Sequence, residues 1–195
     1  MVVAESSVYR LPLFPLASAL LPGGRVALRL FEPRYLDMVS DCMRRDSGFG
    51  ICLIRDGGEA GEPAMPFGVG TEARIVDWDR QPDGLLGITA EGVRKIRVHD
   101  LDVQPDNLVI ARVEPLPPEP AEPVPADCRN LVGVLRQILD QLDPVIRYDH
   151  PRWDDASWVG SRLTELLPLP PRVRQYLVEL DNPQARLAEL RAALQ

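Results

Sequence analysis

A proline-rich segment, EPLPPEPAEPVPAD over residues 114–127, separates two stretches of chain whose apolar residues recur with different periods. Prolines at this density favour an extended, semi-rigid backbone and disfavour helices and central strands. We therefore predict a boundary here. Residues 1–118 should form one subdomain, residues 119–127 a linker, and residues 128–195 a second subdomain.

Before this segment, the pattern predicts short strands joined by turns. Residues 25–31, RVALRLF, alternate apolar and polar side chains, and residues 49–54, FGICLI, are apolar on both faces. Two longer runs, VGTEARIVDW and LLGITAEGVRKIRV, flank a Pro-Asp-Gly turn at 82–84, and Gly92 in the second run predicts a bulge. With NLVIARV at 107–113, about six strands favour a closed or nearly closed barrel.

One helix is predicted to interrupt the strands, from Pro33 to about Asp46. Pro33 suits the first helical position and biases Glu32 towards an extended conformation, so the preceding strand should end at Glu32. Gly48 lies just beyond the expected end of the helix. The apolar side chains at helical spacing are Tyr35, Leu36, Val39, Cys42 and Met43.

After the proline-rich segment, the apolar period becomes helical. A first helix carries the stripe Leu131, Val134, Leu135, Ile138, Leu139 and Leu142. A second is capped by Asp154 or Asp155, and a third begins near Pro170 with an inner face of Val173, Tyr176, Leu177 and Leu180. The pair Asn182-Pro183 predicts the start of a last helix that carries Leu187, Leu190 and Leu194.

The charge and the basic residues exclude several kinds of function. A net charge of −7 argues against nucleic acid and anionic membrane surfaces as partners, since both bind through neutralisation of their negative charge. The single lysine, Lys95, lies in RKIR, so there is no P-loop and no second candidate for a Ser–Lys dyad. We predict that Lys95 and Arg97 face solvent, opposite Ile96 and Val98.

Histidines, cysteines and carboxylates give no convincing site. His99 and His150 lie 51 positions apart, which favours surface or turn roles over catalysis or metal binding. The pairs Asp77/Asp79 and Asp154/Asp155 are explained by solvation and helix capping. Trp78, Trp153 and Trp158 are expected to pack in the core or at a domain interface, with ligand stacking as the alternative. No cofactor or metal is therefore expected.

The cysteines and the hydropathy favour a cytoplasmic protein. Cys42, Cys52 and Cys128 are odd in number and form no CxxC pair, which fits free thiols in a reducing compartment. Cys42 and Cys52 are expected in the core. No apolar run approaches the about 20 residues that a membrane span requires.

The segment FEPRY, residues 31–35, is the densest cluster of unusual residues. Arg34 is anomalous because a cation in the first turn of a helix opposes the helix dipole. Its placement predicts a specific partner, which is Glu32, another carboxylate of the strand-rich part, or a ligand. We predict a structural ion pair with a carboxylate within the protein.

These residues resemble a known family. LPLFPL (11–16), LPGG (21–24), FEPRY (31–35) and the run from Gly70 through PDGLLGITAEGVRKIRV look like the N-terminal substrate-binding domain of Lon-type proteases. The tail, with W-x-x-x-x-W, LTELLPLP and RVRQYLVELDNPQARL, is similar to the helical half of the same domain. The resemblance covers roughly residues 8–194.

The resemblance implies an α+β fold, with a PUA-like β-barrel that contains one inserted helix and a C-terminal helical bundle after it. It implies a bacterial, stand-alone, non-enzymatic module that binds proteins or peptides with exposed apolar segments, as an adaptor or weak chaperone, without ATPase or protease activity. Its oligomeric state stays open. Phe31, Glu32, Pro33, Arg34 and Tyr35 would be a structural signature, and the candidates for peptide contact are Phe31, Tyr35 and Trp78. The alternative is a PUA-like reader of small molecules or RNA.

Overall fold

The computed structural model describes residues 7–142, 146, 148 and 150–194. Within these residues the fold is mixed α+β, with a seven-stranded sheet, one helix between its strands, and four helices after it. The chain divides into two compact units, and the division falls between Pro117 and Pro118.

The first unit contains all the strands. They are β1 (Tyr9–Leu16), β2 (Arg25–Leu30), β3 (Phe49–Asp56), β4 (Met65–Pro66), β5 (Val69–Arg80), β6 (Leu86–Val103) and β7 (Val109–Pro115), and helix α1 (Pro33–Arg45) lies between β2 and β3. The strands predicted from the alternating and doubly apolar runs are all present, and the helix interrupts them where the sequence indicated.

The sheet closes on itself through β1. Its order is β1-β7-β6-β5-β3-β4, and β1 also pairs in parallel with β3, so that β1, β7, β6, β5 and β3 form a ring. β2 lies off this path and pairs with β6 alone, in antiparallel register. No strand among the described residues pairs with the other edge of β2.

Strand β1 carries two prolines that had concealed it from the sequence analysis. Pro12 lies where β1 pairs only with β7, opposite Ile110, and Pro15 lies where it pairs only with β3, opposite Cys52. At each proline, β1 has a partner strand on one side only. A proline whose missing N–H would have pointed to the unpaired side removes no hydrogen bond from the ladder. The strand therefore tolerates both prolines.

The bulge predicted at Gly92 is present between β5 and β6. Glu72 pairs with Arg94 and the next residue of β5 pairs with Gly92, so Val93 is the extra residue. A Cβ on Gly92 would come within 2.4 Å of the Leu21 carbonyl oxygen. Only glycine at position 92 lets the backbone of β6 lie this close to the Leu21 carbonyl, in the segment before β2.

Helix α1 packs one face onto the sheet. Its buried residues are Arg34, Tyr35, Met38, Val39 and Cys42, and the helix ends at Asp46, which has the left-handed φ of 49°. The prediction that Met43 faces inward is wrong, since Met43 is 46% exposed. The buried face of α1 is centred on Met38. Met43 follows the buried Cys42 by one residue, so its side chain is rotated away from this face.

The second unit contains the remaining helices, which are α2 (Arg129–Asp140), α3 (Ala156–Leu166), α4 (Pro171–Glu179) and α5 (Pro183–Ala193). The predicted caps are confirmed, because Asp155 accepts a hydrogen bond from the Ser157 N–H and Asn182 accepts one from the Ala185 N–H. Helix α3 packs against the other three helices.

The inner face of α4 differs from the prediction. Val173 and Tyr176 are 38% and 48% exposed, whereas Leu177 and Val178 are buried beside Gln175. A short helix that begins with a proline offers few apolar positions, so the spacing alone did not fix which of them point inward. Leu194 is also exposed, because it follows the end of α5.

The proline-rich segment is extended, and part of it is bonded to the second unit. The Glu122 carbonyl accepts a hydrogen bond from the Ala156 N–H at 2.7 Å, and the Val124 N–H donates to the Asp154 carbonyl at 3.1 Å. The Glu119 carboxylate binds the fully buried guanidinium of Arg186 through two hydrogen bonds. These contacts make residues 119–124 a packed strap along that unit.

Candidate functional site

The FEPRY segment is the joint at which β2 becomes α1. Glu32 is the N-cap residue, with an extended backbone at φ −85° and ψ 131°, and Pro33 occupies the first turn. The Glu32 carbonyl accepts hydrogen bonds from the N–H groups of Tyr35 and Leu36. The strand end and the proline at the first helical position were both predicted from the sequence.

Arg34 is buried in this joint and binds two groups. Its side chain is 5% exposed, one Nη lies 2.9 Å from Glu32 Oε2, and the other donates to the Asn107 carbonyl at 2.8 Å. The guanidinium carbon also lies 4.7 Å from the centre of the Tyr35 ring. The prediction of a carboxylate partner within the protein is confirmed. Asn107, in the turn before β7, was not foreseen because the contact spans 73 positions.

A cleft of about 420 Å³ opens beside this joint, along the free side of β2. We call it the β2 cleft. The residues that line it are Phe14, Leu16, Ser18, 26–32, Tyr35, Glu59 and Ala60. One wall is thus β2 itself, and the other combines the end of β1, the start of α1 and the loop after β3.

Three aromatic side chains line the β2 cleft. Phe14 and Tyr35 stack with their ring centres 4.1 Å apart and form its floor, and both are buried. Phe31, at the end of β2, is 60% exposed and lies at the rim. An exposed phenylalanine over an apolar floor suits the capture of another apolar side chain.

Two carboxylates, Glu32 and Glu59, are among the polar groups of the cleft. Glu59 accepts a hydrogen bond from the Ala17 N–H at 2.7 Å, and the Glu32 carboxylate accepts one from the Gly61 N–H at 3.4 Å. Burial raises the pKa of the Tyr35 hydroxyl; Arg34 opposes this increase, and Glu32 and Glu59 add to it. Among the residues described, no hydrogen bond forms to the Tyr35 hydroxyl.

The three sequence candidates for peptide contact do not share one site. Phe31 and Tyr35 both line the β2 cleft, but Tyr35 is buried and supplies floor rather than rim. Trp78 is 58% exposed and lines a separate groove of about 240 Å³, together with Met43 and Val76. Trp78 is therefore not packed in a core, which was one of the two packing roles expected for it.

Trp153 and Trp158 belong to the second unit. Their rings pack edge to face with centres 5.2 Å apart, and Trp158 is buried in the core of that unit. A packing role for this pair, rather than ligand stacking, was the sequence prediction.

Lys95 is buried, contrary to the prediction from the sequence. The sequence predicted a solvated lysine, but Lys95 is 3% exposed and lies opposite the buried Thr71 of β5. Its neighbour Ile96 is also buried. The alternation argument assumes that one face of a strand meets water, and at Lys95 and Ile96 both faces of β6 are covered, whereas Arg97 is exposed as predicted.

The other chemical candidates lie in packed or solvated positions. Cys42, Cys52 and Cys128 are buried free thiols, as predicted for the first two, and burial raises the pKa of Cys52 to about 12. His99 lies beside Glu114 at 3.1 Å, and His150 is exposed. No group of three potential metal ligands occurs among the residues that the structure describes.

Three features of the hydrogen-bonded interior were missed by the sequence analysis. Arg162 and Arg186 are fully buried, although arginine is a surface residue in most proteins. Glu72 accepts hydrogen bonds from Tyr9 and Arg94, both at 2.6 Å, and the pKa of Tyr9 is raised to about 12 by burial and by this bond. Arg186 and Glu72 have carboxylate or cation partners distant in sequence, so no local pattern pointed to them, whereas Arg162 pairs with Glu165 one turn along the same helix.

Comparison with known proteins gives a consistent answer. The family model of the ATP-dependent protease La (LON) substrate-binding domain matches residues 10–195. A crystal structure of a Lon N-terminal domain protein from Xanthomonas campestris is 41% identical, with a TM-score of 0.76 over 94% of this chain and 98% of that chain. The resemblance identified from the sequence motifs is thereby confirmed.

Two more distant relatives complete the comparison. The N-terminal domain of the Mycobacterium avium complex Lon protease is 15% identical, with a TM-score of 0.62 over 93% of this chain and 96% of that chain, and supports the fold alone. Cereblon from Danio rerio is 32% identical over 117 residues, which are 58% of this chain and 27% of that protein. The chain thus spans about a quarter of that curated relative's length. From the family match and the high-identity structure, the chain belongs to the Lon substrate-binding domain family.

Proposed function

We propose that this protein is a non-enzymatic substrate-recognition module that binds exposed apolar segments of other proteins in the β2 cleft. It would act as an adaptor or as a weak holdase chaperone. The observation that carries the proposal is the exposed Phe31 above the stacked floor of Phe14 and Tyr35. Family membership supports substrate recognition as the task, and the cleft offers an apolar surface for it.

The proposal also covers the finer architecture. The ring of five strands with α1 inserted supports a PUA-like barrel, and the four later helices support a C-terminal bundle. We propose residues 1–118 and 128–195 as the two subdomains. Residues 119–127 would be a connection that is fastened to the second one through Glu119.

Partners and location follow from charge and cysteine chemistry. With a net charge of −7, we propose proteins rather than nucleic acids as partners. Three buried free thiols support a reducing compartment, and we propose the cytoplasm. No helix among the described residues is both long and apolar enough to cross a bilayer.

The alternative of a small-molecule or RNA reader has less support. A buried cage of three tryptophans would have favoured a small ligand, but Trp78 is 58% exposed and only Trp153 and Trp158 contact each other. RNA binding would be indicated by an electrophoretic mobility shift with RNA that weakens steeply as the salt concentration rises.

The proposal is tested by titrating a fluorescently labelled, permanently unfolded protein with the wild type, Phe31→Ala and Trp78→Ala. The two aromatic side chains are exposed to nearly the same extent, so Trp78→Ala is a matched control. We expect Phe31→Ala to weaken binding about tenfold, the usual effect of removing an aromatic anchor, and Trp78→Ala to leave it unchanged. Binding no stronger than that of an inert globular protein would refute the function, and the reverse pattern would move the site to the Trp78 groove.

A further inference from the structure

The backbone of β2 has hydrogen-bonding groups that point away from its only partner. The Gly92 N–H of β6 donates to the Gly24 carbonyl, and the Gly92 carbonyl accepts from the Gly23 N–H. These two bonds show which residue pairs of the β2–β6 ladder are hydrogen-bonded. Antiparallel pairs alternate between bonded and non-bonded positions. In the unbroken register, the bonded residues of β2 are therefore Val26, Leu28 and Leu30.

It follows that Ala27 and Arg29 direct their N–H and C=O groups to the open edge. No strand among the described residues pairs with β2 on this side. Two donors and two acceptors are thus presented in the spacing of a regular strand. This is the pattern to which an extended segment adds as a new strand.

Another open edge of the same sheet, in β5, is interrupted, whereas the β2 edge is regular. Residues 74–80 of β5 also pair on one side only, but a bulge between Ile75 and Asp77 interrupts them, and Asp77 and Asp79 add charge. Bulges and charges are the usual devices that keep sheet edges from pairing. The β2 ladder has no bulge and no proline over Arg25–Leu30.

The β2 cleft lies where the side chains of an added strand would project. Neighbouring strands place directly opposite residues on the same face of a sheet. The residue opposite Leu28 would therefore point to the buried face, towards Phe14 and Tyr35. A large apolar side chain fits this position.

The charges at the cleft complement a basic side chain. In the cleft, Arg29 pairs with Asp83 and Glu32 pairs with Arg34. Glu59 is bound only by the neutral Ala17 N–H, and residues 57–64 contain a second glutamate and no cation. One carboxylate at the cleft is thus left without a cation among the described residues.

We propose that an extended segment of a client protein, with a large apolar side chain next to a basic one, binds by adding a strand to the β2 edge. This inference rests on the proposed function and specifies how the client is held. The backbone of Ala27 and Arg29 would supply the hydrogen bonds, Phe14, Phe31 and Tyr35 would contact the apolar side chain, and Glu59 would bind the cation.

The test uses an acetylated peptide of about six residues, the length of an ordinary strand, with a central phenylalanine followed by an arginine. Two further peptides carry N-methyl groups on one or the other alternate set of amides. Only one set can face β2, so we expect one peptide to bind about tenfold more weakly than the parent and the other to bind equally well. Equal affinities of all three peptides would overturn strand addition.

A protein variant gives the matching control. Ala27→Pro removes an N–H that points away from β6, so the β2–β6 ladder and the circular dichroism spectrum should be unchanged while peptide affinity falls about tenfold. If unfolded proteins bind but the peptide does not, strand addition is wrong and the proposed function stands. If neither binds, both fail. If sedimentation instead shows a dimer that Ala27→Pro abolishes, the edge pairs with a second copy and the proposal is overturned.

Discussion

Arg34 shows how a single buried cation holds several segments together. Its guanidinium joins Glu32 at the end of β2 to the Asn107 carbonyl before β7, and it packs on Tyr35. The cost of opposing the helix dipole is offset by these bonds. We propose that FEPRY is a structural device that fixes the orientation of Tyr35 in the cleft.

We expect Arg34→Ala to lower the free energy of unfolding by about 2–3 kcal/mol, because it leaves a cavity and two unpaired acceptors. Arg34→Lys keeps the charge but cannot reach both partners, so it should lose an intermediate amount. Chemical denaturation measures both. A variant as stable as the wild type that no longer binds client would mean that Arg34 is a recognition residue.

Cys52 predicts how stability depends on alkaline pH. Burial raises its pKa from 9.0 to about 12 in the folded protein. Between pH 9 and pH 12, the folded protein keeps the Cys52 thiol proton that the unfolded chain releases. The contribution of this thiol to the free energy of unfolding is therefore complete below pH 9 and is lost as the pH rises towards 12. The wild type should therefore lose about 1.4 kcal/mol more stability per pH unit in this range than Cys52→Ala. Parallel pH profiles for the two proteins would contradict this.

At the scale of elements, the bulge in β6 is essential for the path of the chain into β2. Gly92→Ala would bring a methyl group to 2.4 Å from the Leu21 carbonyl oxygen, and the backbone would have to shift. We expect a loss of about 2 kcal/mol or more. Gly133→Ala, in α2, meets no atom within 4 Å and should instead stabilise the protein by about 0.5–1 kcal/mol. Thermal denaturation of both variants decides, and a harmless Gly92→Ala would refute the role of the bulge.

The strap formed by residues 119–124 depends on one ion pair. Arg186 is fully buried and its guanidinium binds Glu119, so Glu119→Gln would leave a buried charge without its counterion. We expect a loss of about 3 kcal/mol. Glu122→Gln is the matched control, because no ion pair of Glu122 occurs among the described residues. Equal stability of the two variants would show that the strap is held by its backbone bonds alone.

The elements also show how far sequence reasoning reaches. Local rules located the strands with clear alternation, α1 and the caps of α3 and α5, because each depends on neighbours in sequence. They failed for β1, Lys95 and Met43. In these cases the tertiary structure decides which edge is free, whether both faces of a strand are covered, and how a helix is rotated.

For the molecule as a whole, the family could be identified from motifs, whereas the site could not. Phe31 and Tyr35 were candidates, but Phe14 and Glu59 come from other elements and contact the cleft only after the sheet has closed. The open edge of β2 follows from the topology, since only the strand order shows that β2 has a single partner. The alternation in RVALRL indicates which face of β2 is buried, but it does not indicate which edge is free.

The central claim is that client segments bind in the β2 cleft, and residue-resolved hydrogen exchange tests it most directly. The wild type is measured alone and saturated with an unfolded client. Because no backbone partner of the Ala27 and Arg29 amides occurs within the part of the chain that the structure describes, these amides should exchange fast in the free protein and at least about tenfold more slowly in the complex. A client that binds tightly while these amides stay unprotected, and protection appears around Trp78 or in the second unit, would contradict the account.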